Sequence, residues 1–161
     1  MSRHRTTIGN VFAVDLGNDV QKFFQYVADD LTQLNSQVIR SFKTTHPSGA
    51  KPDLDELVRG QPEFHAHVAI QWGVKMGLWK KVGNATVAGR VDVLFRNTDD
   101  YGNPEIKVSE DWYVWRVNDP FIKVGRLLGK NREAEIGVVI SPKQVFERIT
   151  TGKYSFFYPG Y

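Results

Sequence analysis

Apolar and polar positions alternate through much of the first third of the chain, which is the period of a half-buried β-strand. Over residues 8–16, Val11, Ala13 and Asp15 alternate with Phe12, Val14 and Leu16. Gly17-Asn18-Asp19 follows as a turn, because Gly and Asn tolerate positive φ. Residues 20–28, with Phe23, Phe24, Tyr26 and Val27, predict a second strand and hence a hairpin. Residues 37–44, with Val38, Ile39 and Phe42, predict a third strand, and residues 31–34 before it are open to a helical turn. Residues 46–52 hold two prolines and a glycine and predict a loop. Asp53 then caps a short helix over residues 54–59, with Glu56 at the capping-box position and Gly60 as the stop.

Residues 64–70 return to a strand pattern. Gly73, Gly77 and Gly83 interrupt residues 72–82 and argue against a helix there; a bent strand or loop, then a strand around residues 78–82, is expected. Residues 90–96 predict a strand, residues 97–104 a polar turn with Gly102 and Pro104, and residues 106–117 a long aromatic strand ended by Asn118-Asp119-Pro120. These two strands read as a hairpin, and residues 121–128 fit no single element. Ser141-Pro142 is a strong helix start. That helix reaches about residue 150, with Val145, Phe146 and Ile149 on one face and Gly152 after it. Residues 154–161 gather aromatics around Pro159-Gly160. Strands and helices do not alternate as βαβ units do. The expected fold is therefore α+β in a single domain, 1–161: a mainly antiparallel, strongly bent sheet or partial small β-barrel, with one short helix mid-chain and one near the C-terminus.

Composition narrows the function classes. The 161 residues suit one domain, and 41% hydrophobic with 24% charged residues is ordinary for a globular chain. The absence of cysteine excludes disulfides, thiolate metal sites and cysteine nucleophiles. Basic residues in Met1–Thr7 have no apolar run behind them, so no leader is expected, and no apolar run approaches the length of a membrane span. A cytoplasmic location without membrane contact is the default expectation. The net charge of +3 is spread over scattered groups, Lys75-Lys80-Lys81 and Lys123-Arg126-Lys130-Arg132, rather than the clustered patch of a dedicated nucleic-acid binder. Acidic residues gather in Asp53-Asp55-Glu56, Asp99-Asp100 and Glu110-Asp111.

Few residues suggest chemistry. His65 and His67 are two apart on a predicted strand and share a face, so neutral imidazoles could share a metal ion. A catalytic zinc site needs a third ligand, for which Glu63 is the local candidate; a solvated or interfacial strand face is the commoner role for such a pair. In residues 111–116, Trp112 and Val114 fall on one strand face and Tyr113, Trp115 and Val117 on the other. Either both faces are buried or one presents an aromatic surface, and Trp, Tyr and Arg dominate binding hot spots. Trp112, Tyr113, Trp115 and Arg116, flanked by Asp99, Asp100, Glu110 and Asp111, are thus the candidate partner-binding residues. Trp79-Lys80-Lys81 and Trp115-Arg116 could stack and neutralise a single strand of nucleic acid, against repulsion from Glu110, Asp111 and Asp119. Residues 125–131 lack the Walker spacing, and neither GxSxG nor HExxH occurs. Asp29-Asp30 and Asp99-Asp100 are adjacent pairs that face apart on a strand, unlike glycosidase carboxylates. No catalytic residue, cofactor or metal is expected. The aromatic tail would be an apolar liability if exposed and should dock back on the domain.

Gly9-Asn10-Val11-Phe12-Ala13-Val14-Asp15-Leu16, then Phe23-Phe24-Gln25-Tyr26-Val27 and Val38-Ile39-Arg40-Ser41-Phe42, resemble the opening of the twenty-sixth family of bacterial immunity proteins. Gly77-Leu78-Trp79-Lys80-Lys81-Val82-Gly83-Asn84 is similar to that family's later W-K-x-[IV]-G-N segment. The matched regions cover about a third of the chain. Residues 46–61 read as an insertion, and nothing aligns from Asn97 onward. The resemblance implies a non-catalytic domain that binds and neutralises a cognate polymorphic toxin, and it brings no catalytic residues with it. Two other readings stay open: a small nucleic-acid-binding barrel, and an enzyme with its site near His65 and His67.

Overall fold

The computed structural model describes residues 5–161; Met1–His4, the start of the segment read for a leader, lie outside the described residues. The chain opens with β1 (Asn10–Gly17) and β2 (Val20–Asp30), paired antiparallel. Asn18 and Asp19 both have positive φ, 53° and 60°, the conformation of a hairpin turn whose twist matches that of its strands. β3 (Ser36–Phe42) continues the sheet, after residues 31–35 that form turns rather than a helix. The expected loop at residue 46 holds a two-residue strand, β4 (His46–Pro47), laid on β2. Asp53 caps α1 (Leu54–Leu57) by accepting from the amides of Asp55 (3.0 Å) and Glu56 (3.3 Å), and the helix stops two residues earlier than expected. β5 (Pro62–His67) pairs with β3.

Residues 70–75 depart from expectation. They form α2 (Ile70–Lys75) in spite of Gly73, and the strand predicted over residues 64–70 ends at His67. The reason is packing. A Cβ on Gly73 would lie 1.9 Å from Cζ2 of Trp79, so the glycine makes room for an indole seated on the helix. Trp79 Nε1 also donates to the Ile70 carbonyl at 3.0 Å. A helix-weakening residue is here a contact residue, and its cost of about 1 kcal/mol against Ala is offset by burial of a large aromatic, worth about 1.5–3 kcal/mol. β6 (Lys80–Asn84) then pairs with β1 and completes the order β5-β3-β2-β1-β6.

A second sheet holds β7 (Leu94–Thr98), β8 (Trp112–Arg116), β9 (Ile122–Gly125) and β10 (Glu135–Ile136), in the order β10-β7-β8-β9 with β10 parallel to β7. Residues 106–111, expected as part of a long strand, are irregular instead. A 3-10 helix (Gly129–Glu133) precedes β10. α3 (Pro142–Thr151) starts and stops as the sequence predicts: Ser141 accepts from Gln144 N at 3.3 Å, and Gly152, φ 86°, ends it. The fold is α+β, with an antiparallel first sheet and a mixed second sheet, and neither closes into a barrel. No described helix is long and apolar enough to cross a membrane.

The first sheet is covered on both faces. Phe12, Val14, Phe24, Tyr26, Ile39 and Phe64 pack with Trp79 and with Val145 and Ile149 of α3. On the other face, Val11, Ala13, Phe23 and Phe42 pack against Val58 beside α1, while Val27 and Val38 meet Phe95 and Trp115 of the second sheet. The C-terminal residues dock back in part: Phe156 and Tyr154 join the α3 side of the core and Tyr158 packs beside Trp112 and Leu127, while Phe157 and Tyr161 stay 47% and 51% exposed.

Candidate partner-binding surface

β8 does not present the aromatic surface the sequence allowed. Trp112 is 0% exposed and Trp115 1%, so both strand faces are buried and neither indole reaches a partner. Trp115 lies in the interface between the sheets. Its ring sits where a Cβ on Gly137 would be 2.3 Å from Cη2, and its Nε1 donates to Asp30 Oδ2 at 2.9 Å. Trp112 Nε1 donates to the Ser109 carbonyl at 2.8 Å, and Arg96 lies over its ring. Tyr113 is half-buried beside Phe121, and burial, then the charge of Asp99, pushes its phenol pKa up. Arg116 is exposed and lies 3.5 Å from Asp92. Trp79, in the other basic–aromatic group, is likewise buried, so neither Trp79 nor Trp115 offers a ring for base stacking.

The acidic half of the candidate set fares differently. Asp99, Asp100, Glu110 and Asp111 all lie on one segment, residues 99–111, that leaves β7 and returns to β8 without regular structure. Loops of this length inside a compact domain are uncommon and usually functional. The segment carries Glu105 as well, so five carboxylates face one lysine, Lys107: a formal charge of −4 within a chain of net +3. Asp99, Glu105, Glu110 and Asp111 are exposed, and Glu110 has only a 3.9 Å contact with the exposed Arg126. Tyr101 and Val108 add apolar surface, 40% and 60% exposed.

This segment is braced from beneath. Ser109 is 2% exposed; its hydroxyl donates to Asp100 Oδ2 (2.6 Å), shares a bond with the Thr98 hydroxyl (2.7 Å) and accepts from Asp111 N (3.1 Å). The tail closes the other side: Ser109 N donates to the Gly160 carbonyl at 3.0 Å, and Gly160 N to that of Lys107 at 2.8 Å. Tyr158 stacks at an angle on Tyr101, centroids 5.5 Å apart, and its hydroxyl donates to Asn97 Oδ1 at 2.9 Å. An acidic surface is thus presented on a fixed backbone. Sequence reasoning found four of its five carboxylates but missed Glu105, Tyr101 and the bracing Ser109. The adjacency of residues 107–109 to Gly160 has no local signal.

The histidines part company. His67 is 0% exposed and its Nε2 lies 2.9 Å from Asp30 Oδ2. Asp30 is equally buried, and its Oδ1 accepts from Thr32 N and Asn118 N at 3.1 and 3.0 Å. Burial opposes the Asp30 charge, but bonds from Asn118, His67 and Trp115 outweigh it and hold its carboxyl below the usual range. Burial lowers the His67 pKa against the pull of Asp30. A neutral ring donating from Nε2 satisfies both, and it leaves Nδ1 buried without a partner. His65 Nε2 instead accepts from Arg40 Nε at 3.0 Å, with the ring's pKa pushed down to about 4 by burial and by the Arg40 charge. Glu63 does not join either ring: the register breaks beside Phe42, and its carboxylate takes Lys22 at 3.0 Å. Among the described residues no group of three or more His, Asp or Glu side chains is placed to hold a metal ion. The Asp30–His67–Trp115 set ties β2, β5 and β8 together across the two sheets.

Comparison of the chain with protein families, with curated proteins and with solved structures finds no match.

Proposed function

We propose that this chain is a non-catalytic protein-binding domain and that it serves as an immunity protein, neutralising a cognate bacterial toxin in the cytoplasm by direct contact. One observation carries the reading: the braced −4 segment at residues 99–111, with exposed Tyr101 and Val108, in a chain of the opposite net sign. A fixed acidic surface favours a cationic partner, both by steering its approach and by penalising wrong partners. A toxin that acts on polyanions would carry such a basic surface. The motifs that resemble the immunity family support the same reading, since the family they resemble acts by binding.

The experiment is co-expression of the protein with the toxin encoded beside its gene, together with affinity capture of the complex. The wild type protects and co-purifies, and the triple variant Asp99→Lys/Glu105→Lys/Asp111→Lys, which spares the bracing Asp100, loses both. A wild type that neither protects nor binds, or a triple variant that behaves as wild type does, refutes the proposal.

A further inference from the structure

The two margins of the first sheet are treated differently. At β5, the chain closes its own edge: Ile140 N donates to the His67 carbonyl at 2.8 Å, Val139 bridges to His67, and Glu135 accepts from His65 N at 3.3 Å. At β6 the edge away from β1 pairs with no described strand. Lys80, Lys81, Val82 and Asn84 are exposed there. The register runs Phe12↔Lys81 and then Val11↔Gly83, so Val82 is left without a cross-strand partner. Lys80 pairs with Ala13 and shares its face of the sheet; Lys81 pairs with Phe12 and shares the other. Two adjoining clefts of about 510 and 540 Å³ lie along this margin and share Gln21, Gly49 and Lys80, with Lys51 lining the first. Gln21 is 8% exposed and its Nε2 is spent on the Pro47 and Ala50 carbonyls, at 2.9 and 3.1 Å.

We propose that β6 accepts an extended, acidic segment of a partner protein as an added strand. An unpaired edge supplies backbone donors and acceptors for the ladder, and flanking pockets supply side-chain selection. The lysines set the sign. Lys80 and Lys81 stand on opposite faces, so carboxylates on both faces of an incoming strand meet a cation, and opposite charges placed directly across a strand pair are favourable. Lys51 adds a third cation on the Lys80 side. The same lysines repel the basic edge of a second copy, which keeps the margin open. This surface is opposite in charge to residues 99–111 and shares no residue with them, so it does not depend on the toxin-binding reading.

The test titrates the ¹⁵N-labelled full chain at low salt with a short peptide of paired glutamates separated by Thr-Val. Its controls are the lysine counterpart, the same acidic peptide N-methylated at alternate amides, and tripolyphosphate. The acidic peptide should move the amide resonances of residues 80–84, while the lysine and N-methylated peptides should not. Binding should weaken about tenfold in Lys80→Glu/Lys81→Glu, from two lost ion pairs and new repulsion, and less but measurably in Lys80→Ala/Lys81→Ala, which keeps the comparison available if charge reversal disturbs the fold. No shift at residues 80–84, equal binding of the N-methylated peptide, or equally tight binding of tripolyphosphate with the same shifts would each overturn the proposal.

Discussion

Acid should destabilise this protein well above the range in which carboxylates titrate, because two histidines are folded in the neutral state. Burial, then Arg40, sets the His65 pKa at about 4, and burial lowers that of His67 as well. In the unfolded chain each returns to about 6.5. Between about 4 and 6.5 the unfolded state holds a proton on His65 that the folded state refuses, and His67 acts in the same sense. Stability therefore rises with pH through this window and is lost as pH falls from about 6.5. The slope from His65 approaches about 1.4 kcal/mol per pH unit, so that this ring contributes roughly 3 kcal/mol over its window, and His67 acts in the same direction. Asp30 acts in a separate range. Its folded pKa is depressed, so its contribution is present above about pH 4 and is lost only as pH falls below that, through the depressed value. Urea denaturation followed by tryptophan fluorescence at about pH 7, 6 and 5 reads the slope in the histidine window. His65→Gln keeps an acceptor for Arg40 and removes the ring that titrates near 4 in the folded state, so the slope should fall by about 1 kcal/mol per pH unit. Equal stability at pH 7 and pH 5, or an unchanged slope in the variant, refutes the neutral-histidine account.

Other variants separate the packing arguments. Gly73→Ala drives a Cβ into the Trp79 ring and should cost about 1–3 kcal/mol, read as a lowered calorimetric midpoint; an unchanged midpoint would mean that α2 does not seat the indole as described. Asp30→Asn leaves at least one of the Trp115, Thr32 and Asn118 N–H donors facing an amide donor, at about 1–3 kcal/mol by denaturant titration. A loss under 1 kcal/mol would count against the network as the tie between the sheets. Ser109→Ala leaves Asp100 Oδ2 and Asp111 N without their shared partner, at about 1–3 kcal/mol. Hydrogen exchange should quicken over residues 99–111 and not in β1 to β3, and uniform protection would show that the serine does not brace the segment.

How much was legible in the sequence follows the range of the interactions concerned. The β1–β2 hairpin, the Asp53 cap and the Ser141–Gly152 limits of α3 are set by neighbours within four residues, and each stands where the pattern places it. α2 was hidden because its glycine answers to Trp79, a contact visible only once the chain has folded back. The strand expected over residues 106–117 was overlong for a related reason. Ser109 carries no strand or turn signal of its own, yet its bonds to Thr98, Asp100 and Gly160 pull residues 99–111 out of the sheet. Nor could periodicity choose between burial and display for Trp112 and Trp115. Burial was decided by Gly137 and Asp30 on the Trp115 side and by Arg96 and Tyr158 on the Trp112 side.

The two segments that carry the family resemblance turn out to be neighbours: Asn10, Val11, Phe12 and Ala13 of the first pair across β1 and β6 with Asn84, Gly83, Lys81 and Lys80 of the second. Gly9 and Asn84 meet there so closely that a Cβ on Gly9 would lie 2.7 Å from Asn84 Oδ1, while Asn10 Nδ2 donates to that same oxygen at 3.2 Å. Gln25, 0% exposed, donates to the Gly9 and Ala85 carbonyls at 3.1 and 2.8 Å and ties the β2 side to the same point. These residues are constrained by one another, not by a partner. A resemblance resting on them speaks to the scaffold and leaves the proposed binding surface free to vary. The acidic segment at residues 99–111 lies beyond both motifs, where the resemblance does not extend. It is braced by Ser109 and the tail rather than by the motif residues, so its charge can change without disturbing the β1–β6 pairing. That separation predicts the outcome of an exchange: replacing the four carboxylates Asp99, Glu105, Glu110 and Asp111, with Asp100 kept for Ser109, should alter which partner binds and leave the unfolding free energy within about 0.5 kcal/mol of wild type.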